Sequence, residues 1–320
     1  MRAVIAGGSG LLGQLVAAAL LDRGDEVTIL TRRRAWQGLG RTVLWNPAAP
    51  DGWRQELEGA DLYLHLASGR LPRFHTEAER PALLAERLAS TAAVCAVMPT
   101  LQRPPRVWMH GSSADIYAHN LGLPAGETLG LFGGGEPGSV PAWDLGADLP
   151  YTMERMVNDT VLSGVRRIAL RTAFVMEPSA TGYYALLRRI GCELYRGDFG
   201  DGRAHVSWIS ARDFVRSVLF LADHAEASGP FNLVSPGCLA GADFFGVMRA
   251  LDGVQPGYTL KPWMLELAAR WKRYDTGLVL KSRKVAPERL TELGFTFSDR
   301  EWSLLAATLR DATAAGGSGS

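Results

Sequence analysis

The chain has 320 residues and a mass of 34.6 kDa, which is long enough for one large α/β unit with an appended smaller lobe. Hydrophobic residues make up 47% and charged residues 21% of the sequence, so intrinsic disorder and a fibrous repeat are excluded. The 34 Lys and Arg residues nearly balance the 33 Asp and Glu residues, which leaves a formal charge of +1. That balance lacks the positive field that drives binding to a phosphate backbone, and nucleic acid is therefore not an expected partner.

The cysteines and the apolar segments bear on localisation. Cys95, Cys192 and Cys238 are odd in number, far apart and not in CxxC form, which predicts neither disulfides nor a metal site and favours a reducing compartment. The first apolar run ends in glycines at residue 7, too early for a signal peptide, and no stretch reaches 18 consecutive apolar residues. We therefore expect a cytoplasmic protein without membrane contact.

The first elements in chain order are a strand, a glycine turn, a helix and a second strand. Residues 3–6 form a short apolar run that leads into a Gly-xx-Gly-xx-Gly turn at residues 7–13. Apolar residues then recur at helical spacing until Gly24, and the β-branched segment 26–31 follows. A β-α-β unit of about thirty residues with this opening predicts a dinucleotide-binding fold.

The glycine turn is the first candidate site. Gly7 permits the sharp turn, Gly10 lets the backbone approach a pyrophosphate, and Gly13 allows the helix to pack closely. The helix N-terminus adds unpaired N–H groups and the positive end of the helix dipole. This arrangement predicts that the turn binds the pyrophosphate of a dinucleotide.

The end of the second strand bears on the choice of dinucleotide. NAD-binding proteins place Asp or Glu there, whereas this chain has Thr31 followed by Arg32, Arg33 and Arg34. Guanidinium groups can pair with a 2′-phosphate, which a carboxylate would repel. The sequence therefore favours NADP(H) over NAD(H), with Arg32 and Arg33 as ligands, and a solvated basic loop is the alternative.

Alternation of strands and helices continues beyond the first unit. Segments 61–67 and 106–110 predict buried parallel strands with a helix over 82–98 between them. Glycine and proline crowd residues 120–150, which predicts a long loop that covers the substrate side as a lid. Two further elements are predicted downstream, a helix over 153–162 and a strand over 167–171.

The predicted fold class is α/β, a Rossmann-type doubly wound parallel sheet with a smaller C-terminal substrate lobe. Residues 1–175 are predicted to form the NADP-binding domain, with the loop insertion at 120–150. Residues 176–315 are predicted to combine the last elements of the sheet with the substrate lobe. Residues 316–320, with the sequence GGSGS, are interpreted as a linker remnant.

Several of these segments together resemble the extended short-chain dehydrogenase/reductases, the group that contains the sugar-nucleotide epimerases. They are the glycine turn, the strand end His65-Leu66-Ala67-Ser68-Gly69 and the run from Ser112 to Tyr117. Downstream, segments 206–215, 229–233, 280–290 and 294–297 look like the atypical "epimerase family protein" branch. The resemblance covers nearly the whole chain and implies a nicotinamide cofactor held by Gly7, Ser9, Gly10, Leu11, Leu12, Gly13, Leu66, Ala67 and Ser68.

The resemblance also implies catalytic residues. In the wider family a Ser orients the substrate carbonyl, a Tyr transfers the proton, and a Lys four residues after the Tyr lowers its pKa. Ser113 matches the serine. Tyr151 has the YxxxK spacing with Arg155 in the lysine position, and spacing alone favours it as the tyrosine. In a second alignment Met153-Glu154 matches the Trp-Glu of the atypical branch, the usual tyrosine is absent, and Tyr117 is the nearest phenol.

Other polar residues are interpreted as structural. His65 and His110 lie in apolar strands, which predicts hydrogen-bonded core residues rather than bases. Lys281, Arg283 and Lys284 could bind an anionic substrate group, but a solvated helix face is the favoured interpretation.

These features predict an NADP(H)-dependent oxidoreductase or epimerase that acts on a hydroxyl or carbonyl carbon of a small metabolite. One alternative is a non-redox enzyme on the same fold, of the dehydratase or cyclase type, and another is a non-catalytic NADP(H)-binding protein. The expected partners are a small-molecule substrate and, as an option, a second copy of the chain in a homodimer.

Overall fold

The structure is a computed structural model that describes residues 1–67, 78–136, 141–272 and 276–317, so the predicted cofactor residue Ser68 lies outside the described residues. The strands are β1 (Arg2–Ala6), β2 (Glu26–Thr31), β3 (Arg41–Leu44), β4 (Leu62–His65), β5 (Val107–Ser113), β6 (Arg166–Thr172), β7 (Phe174–Met176), β8 (His205–Val206), β9 (Trp208–Ser210), β10 (Gly229–Leu233) and β11 (Leu239–Ala240). The α-helices are α1 (Leu11–Asp22), α2 (Arg54–Leu57), α3 (Arg80–Val97), α4 (Pro141–Asp159), α5 (Tyr183–Arg188), α6 (Ala211–Asp223), α7 (Gly241–Leu251), α8 (Pro262–Lys272), α9 (Gly277–Leu280), α10 (Glu288–Glu292) and α11 (Trp302–Gly317).

Seven strands form one parallel sheet in the order β10-β6-β5-β4-β1-β2-β3. Ile5 of β1 lies opposite Ile29 of β2 and Leu64 of β4, which places three apolar side chains in one row. The strand order reverses at β1, because the chain runs outward through β2 and β3 and then returns to β4. Ligands bind at the carboxyl ends of strands beside such a reversal.

Helices cover both faces of the sheet, as the buried clusters show. On one face Ile5 and Leu64 pack against Val16 of α1 and Phe214 of α6. On the other face lie, among others, Val4, Tyr63 and Trp108 of the strands, with Val94 of α3 and Val157 of α4. The predicted Rossmann-type doubly wound α/β fold is therefore confirmed.

A third cluster belongs to the C-terminal lobe and is built on aromatic side chains. The rings of Phe244 and Trp302 stack with centroids 4.1 Å apart, and Trp208 packs beside them. The division of the chain at residue 175 does not separate sheet from lobe, because β10 is the edge strand beside β6. The lobe and the last part of the sheet are interleaved in sequence.

Helix α4 begins at Pro141, twelve residues before the predicted start, so residues 141–150 are helical rather than part of a loop. Pro150 lies inside this helix and removes one backbone hydrogen bond there. The segment before α4 is fastened to the edge of the sheet: Glu127 accepts hydrogen bonds from the backbone N–H groups of Asn232 in β10 (2.7 Å) and Arg289 in α10 (3.4 Å). These contacts do not support a free lid over residues 120–136.

The stretch Arg80–Thr100, which contains α3, is long and apolar enough to cross a membrane by length and composition, with a mean hydropathy of 1.3. Its residues Thr91, Val94 and Val97 are buried, and the helix packs against α4. Core helices pass the same test, so this stretch is weak evidence for membrane contact.

Candidate functional site

A cleft of about 490 Å³ opens at the carboxyl ends of β1, β4, β5 and β6. One side is formed by the glycine turn and the strand ends, including Gly7, Leu66 and Ser113. The other side is formed by α4 and by the C-terminal lobe, which contributes Leu186 and Arg283. The cleft therefore lies where an open α/β sheet binds its ligand.

The three glycines of the turn meet different constraints. Gly7 has a φ of +81°, and a Cβ there would lie 2.7 Å from the backbone N of Ala67. A Cβ at Gly13 would lie 2.5 Å from the Cα of Gly8. Both positions thus require glycine for backbone packing.

Gly10 differs from the other two glycines. Its φ is −84°, which any residue adopts, and a Cβ would meet only the Gly7 carbonyl oxygen, 3.2 Å away. A side chain at Gly10 would therefore require only a small shift of the Gly7 carbonyl, unlike one at Gly7 or Gly13. It would occupy the cleft that Gly10 lines, where a pyrophosphate is expected.

The N-terminus of α1 fits a phosphate group. Gly10 is the N-cap and offers no side-chain acceptor to the first N–H groups of the helix. Leu11, Leu12 and Gly13 form this first turn and line the cleft, as do Leu66 and Ala67 at the end of β4. Unpaired N–H groups at a helix N-terminus bind anions.

The end of β2 presents hydroxyl and guanidinium groups. Ser9 Oγ and Thr31 Oγ1 are hydrogen-bonded at 2.9 Å, and the backbone N–H of Arg33 donates to Thr31 Oγ1 at 3.2 Å. The side chains of Arg32 and Arg33 are exposed. Neither these two side chains nor Ser9 is among the residues that line the cleft.

Ser113, Asp115 and Arg283 form the polar corner of the cleft. Ser113 Oγ accepts a hydrogen bond from the Asp115 backbone N–H at 3.1 Å and lies 3.3 Å from Asp115 Oδ2, to which it donates. Arg283 Nε donates to Asp115 Oδ1, and Arg283 Nη1 donates to the Gly277 carbonyl at 2.7 Å. The corner thus holds a serine hydroxyl against a carboxylate that an arginine fixes in place.

The charge state of Asp115 follows from its surroundings. Burial raises the pKa of this carboxyl group, but the nearby charges of Arg283 and Lys281 outweigh burial, and the pKa lies below its usual value. Asp115 is therefore ionised at neutral pH.

The interpretation of Lys281 and Arg283 as a solvated helix face is wrong. Helix α9 ends at Leu280, and the two side chains are 2% and 7% exposed. Lys281 Nζ donates to the Asp115 carbonyl at 2.9 Å. Sequence reasoning missed Asp115 and Arg283 as site residues, and the available signal was the position of Asp115 two residues after Ser113 at a buried strand end.

Tyr117 does not reach the cleft. Its side chain is buried, its hydroxyl donates to Asn232 Oδ1 at 2.9 Å, and it accepts from Arg171 Nη1 at 2.8 Å. Both roles of the hydroxyl are thus used within the core. The assignment of Tyr117 as proton donor needs correction for this reason.

Tyr151 also lies off the cleft. It is 40% exposed, its ring packs on Phe132 with centroids 5.5 Å apart, and the Arg155 guanidinium lies 5.9 Å from its ring. The cleft-facing residues of α4 are a different set: Leu145, Gly146, Leu149, Pro150 and Met153. Of the three predicted catalytic residues, the structure brings only Ser113 to the cleft.

A buried ion pair lies beneath the cleft. Arg171 of β6 donates to Glu154 of α4 through Nε (2.9 Å) and Nη2 (2.7 Å), and Ser112 Oγ donates to the same carboxylate at 2.6 Å. Glu154 thus fixes α4 to β5 and β6. Removing one partner of such a pair costs about 3 to 5 kcal/mol of stability, because the other charge is left buried and unpaired.

His65 and His110 lie side by side in the core, on paired positions of β4 and β5. His65 Nδ1 lies 2.9 Å from the Tyr63 hydroxyl. Burial lowers the pKa of His65 to about 3 and that of His110 to about 4, both from 6.5. Both rings are therefore neutral at pH 7, and neither is placed to act as an exposed base.

We expect acid to destabilise the protein through these two histidines. The pKa values of both histidines in the folded protein lie below the unfolded value of 6.5. Their contribution to the free energy of unfolding is therefore complete above pH 6.5 and is lost as the pH falls towards 4. Between pH 7.5 and 4.5 the loss is about 2 to 3 kcal/mol per histidine. Urea unfolding at pH 7.5 and at pH 4.5 measures this loss in the free energy of unfolding. A His65→Gln/His110→Gln variant should show a smaller difference in that free energy between the two pH values. An equal difference in the two proteins would contradict this explanation.

The fold and the cleft define a class of protein, a Rossmann-type α/β chain with a cleft at the carboxyl ends of its parallel strands. Residues 3–133 match the profile of the NAD dependent epimerase/dehydratase family. An epimerase family protein of Staphylococcus epidermidis is 27% identical over 297 residues, which cover 92% of this chain and 94% of that protein. The predicted resemblance to the epimerase family proteins is confirmed.

Solved structures share the fold along the whole chain. The crystal structure of human epimerase family protein SDR39U1 (isoform 2) with NADPH has a TM-score of 0.77 and 22% identity, and the match covers 97% of this chain and 99% of the human chain. UDP-glucose 4-epimerase of Thermotoga maritima with UDP-glucose has a TM-score of 0.72 and 17% identity, covering 97% and 98%. At these identities the likeness shows the fold alone.

Proposed function

We propose that the protein is an NADP(H)-dependent oxidoreductase or epimerase that acts on a hydroxyl or carbonyl carbon of a small molecule. The observation that carries the proposal is the continuous cleft, which runs from the glycine turn and the N-terminus of α1 to Ser113 at the end of β5. The match to an NAD dependent family and the NADPH held by the human relative support a nicotinamide cofactor.

The residues of the glycine turn and of the segment after β2 fit NADP(H). The first turn of α1 presents N–H groups to the pyrophosphate, and Gly10 leaves room for it. Arg32 and Arg33 are exposed and directly follow Thr31, whose hydroxyl is hydrogen-bonded to Ser9, so they would be able to pair with a 2′-phosphate. The remaining end of the cofactor reaches the cleft beside Ser113.

An Arg32→Ala/Arg33→Ala variant should bind NADPH more weakly by about 1.5 to 3 kcal/mol, because charge-assisted hydrogen bonds to the 2′-phosphate are lost. NADH has no 2′-phosphate, so its affinity should stay unchanged. Isothermal titration calorimetry with both cofactors measures the difference. Arg106→Ala is the matched control, since that side chain is 82% exposed at the amino end of β5. Equal affinity of the wild type for NADPH and NADH, unaltered in the variant, would contradict the NADP(H) assignment.

The polar corner supplies the proton chemistry. Bound nicotinamide gives or takes a hydride. In the oxidative direction, the proton of the substrate hydroxyl passes to Ser113 Oγ while the proton of Ser113 passes to Asp115 Oδ2, 3.3 Å away. Arg283 holds the carboxylate in this position through Nε. When a carbonyl is reduced, Asp115, which is ionised at neutral pH, would first take up a proton from solvent; Ser113 Oγ would then pass its own proton to the carbonyl oxygen and be reprotonated by Asp115.

A second candidate, a non-catalytic NADP(H)-binding protein, is favoured by one observation. The described face of α4 that lines the cleft carries no phenol or amine, only Leu145, Gly146, Leu149, Pro150 and Met153. Consumption of NADPH with a panel of aldehydes, ketones and quinones separates the two candidates. Turnover supports the enzyme, whereas tight NADPH binding without turnover of any member supports the binding protein.

A further inference from the structure

We propose that the substrate is an apolar ketone, or the matching secondary alcohol, whose oxygen binds at Ser113, and that it is not a sugar nucleotide. This inference rests on the proposed function, because it assigns the substrate class of the same cleft. Three features carry it. They are the apolar side chains on the substrate wall, the partners that the cations of the polar corner already have, and the small number of hydroxyl groups that line the cleft.

The substrate wall is defined here as the cleft residues Leu145 and Leu149 of α4, Leu186 of α5 and Leu278 of α9. These helices are separate from β1, α1 and β4, which hold the predicted cofactor residues. Leu186 is 39% exposed. An aliphatic wall of this kind gains free energy when an apolar ligand covers it, and it offers no hydrogen bond to a sugar hydroxyl.

The cations of the polar corner already have partners within the protein. The Arg283 guanidinium faces the ionised Asp115, and its Nη1 is already bonded to the Gly277 carbonyl. Lys281 lies behind Asp115 and is 2% exposed. A sugar nucleotide carries a diphosphate, which binds tightly only to cations that are free to pair with it.

Arg87 is a further cation among the described residues that line the cleft, and it lies on the side of the predicted cofactor residues. Arg87 belongs to α3, one turn before Ser90, whose hydroxyl donates to the Ala67 carbonyl at the end of β4. Ala67 is one of the predicted cofactor residues, so the proposed function assigns Arg87 to the cofactor side of the cleft. The substrate wall has no such charge among the residues that the structure describes.

The hydroxyl groups near the corner are few. Thr172 Oγ1 donates to the Leu170 carbonyl at 3.0 Å, and the other hydroxyls that line the cleft belong to Ser112, Ser113, Thr181 and Tyr183. Ser112 itself is bonded to Glu154. One substrate oxygen can be satisfied at Ser113 once its hydroxyl proton turns from Asp115 Oδ2, 3.3 Å away, to the substrate, whereas several hydroxyls of a hexose would lose their water partners without replacement.

The test uses full-length protein saturated with NADP⁺, which cannot reduce a ketone, so the ternary complex is stable. 2-Acetonaphthone and UDP-glucose are titrated separately by calorimetry. We expect the ketone to bind at least about tenfold more tightly than UDP-glucose, a difference of about 1.4 kcal/mol. Leu186→Asp should weaken ketone binding about tenfold or more, since it places a charge in the apolar wall. Leu129→Asp is the matched control, because Leu129 is 85% exposed and lies off the cleft.

The outcomes separate the two proposals. Failure of the wild type to bind NADP⁺ contradicts the proposed function. With NADP⁺ bound, tighter binding of UDP-glucose, or no binding of the ketone, overturns the inference alone. Circular dichroism checks the fold of Leu186→Asp, and if that variant is misfolded, Leu186→Ala decides: unchanged ketone affinity in a folded variant overturns the inference.

Discussion

Ser113→Ala and Asp115→Asn are each expected to lower kcat about a hundredfold or more, with little change in NADPH affinity. Ser113 is the predicted catalytic residue that lines the cleft, and its hydroxyl lies 3.3 Å from Asp115 Oδ2, so either change interrupts the proton path. Turnover is measured with a carbonyl compound that the wild type reduces, and NADPH affinity by calorimetry. Asp115→Asn should also alter the acidic limb of the pH profile, because the carboxylate that accepts the proton is gone.

Three tyrosine variants serve as comparisons. Tyr151→Phe should retain activity, because the phenol lies off the cleft against Phe132. Tyr117→Phe should lose stability rather than proton transfer, since the hydroxyl bonds Asn232 and Arg171 in the core. Tyr183 lines the cleft, with its ring 4.7 Å from that of Phe174, and Tyr183→Phe tests it as a donor. Full activity of Ser113→Ala and Asp115→Asn together with loss in Tyr183→Phe would assign proton transfer to that phenol.

Gly10→Val is expected to abolish NADP(H) binding, a loss of about a hundredfold or more, while the chain still folds. The φ of −84° at Gly10 suits any residue, and a Cβ makes one close contact, with the Gly7 carbonyl oxygen at 3.2 Å, which a shift of a few tenths of an ångström relieves. The isopropyl group would stand where the pyrophosphate lies. Calorimetry measures affinity, and circular dichroism and thermal unfolding check the fold.

Gly52→Val is the control for this substitution. A Cβ at Gly52 has no neighbour within 4 Å, and the residue lies outside the cleft, so affinity and fold should both be retained. A folded Gly10→Val protein that binds NADPH normally would place the cofactor elsewhere.

The parts of the fold that could be predicted from sequence are those with short-range signals. The glycine turn, the apolar strands and the helical spacing after the turn depend on neighbours within about thirty residues, and all are found where expected. The lobe was predicted only in outline, because its core joins residues as distant as Phe174 and Trp302.

The catalytic end of the cleft could not be predicted to the same extent. Arg283 and Asp115 are 168 residues apart in sequence, and nothing local to either residue signals their contact. The start of α4, and therefore which of its residues face the cleft, could not be predicted either, because proline residues such as Pro141 and Pro150 are typical of loops. Once the helix begins at Pro141, its cleft face carries Leu149 and Met153, and Tyr151 faces Phe132 instead.

The edge position of β10 has a consequence for synthesis of the chain. Residues 229–233 complete the parallel sheet beside β6, more than fifty residues after β6 has ended at Thr172. On the ribosome, the hydrogen-bonding edge of β6 therefore stays open until this late strand emerges. A fragment that stops at residue 175 would expose an unpaired apolar strand, which is a template for aggregation. The nucleotide-binding half should consequently need its distal partner for soluble expression.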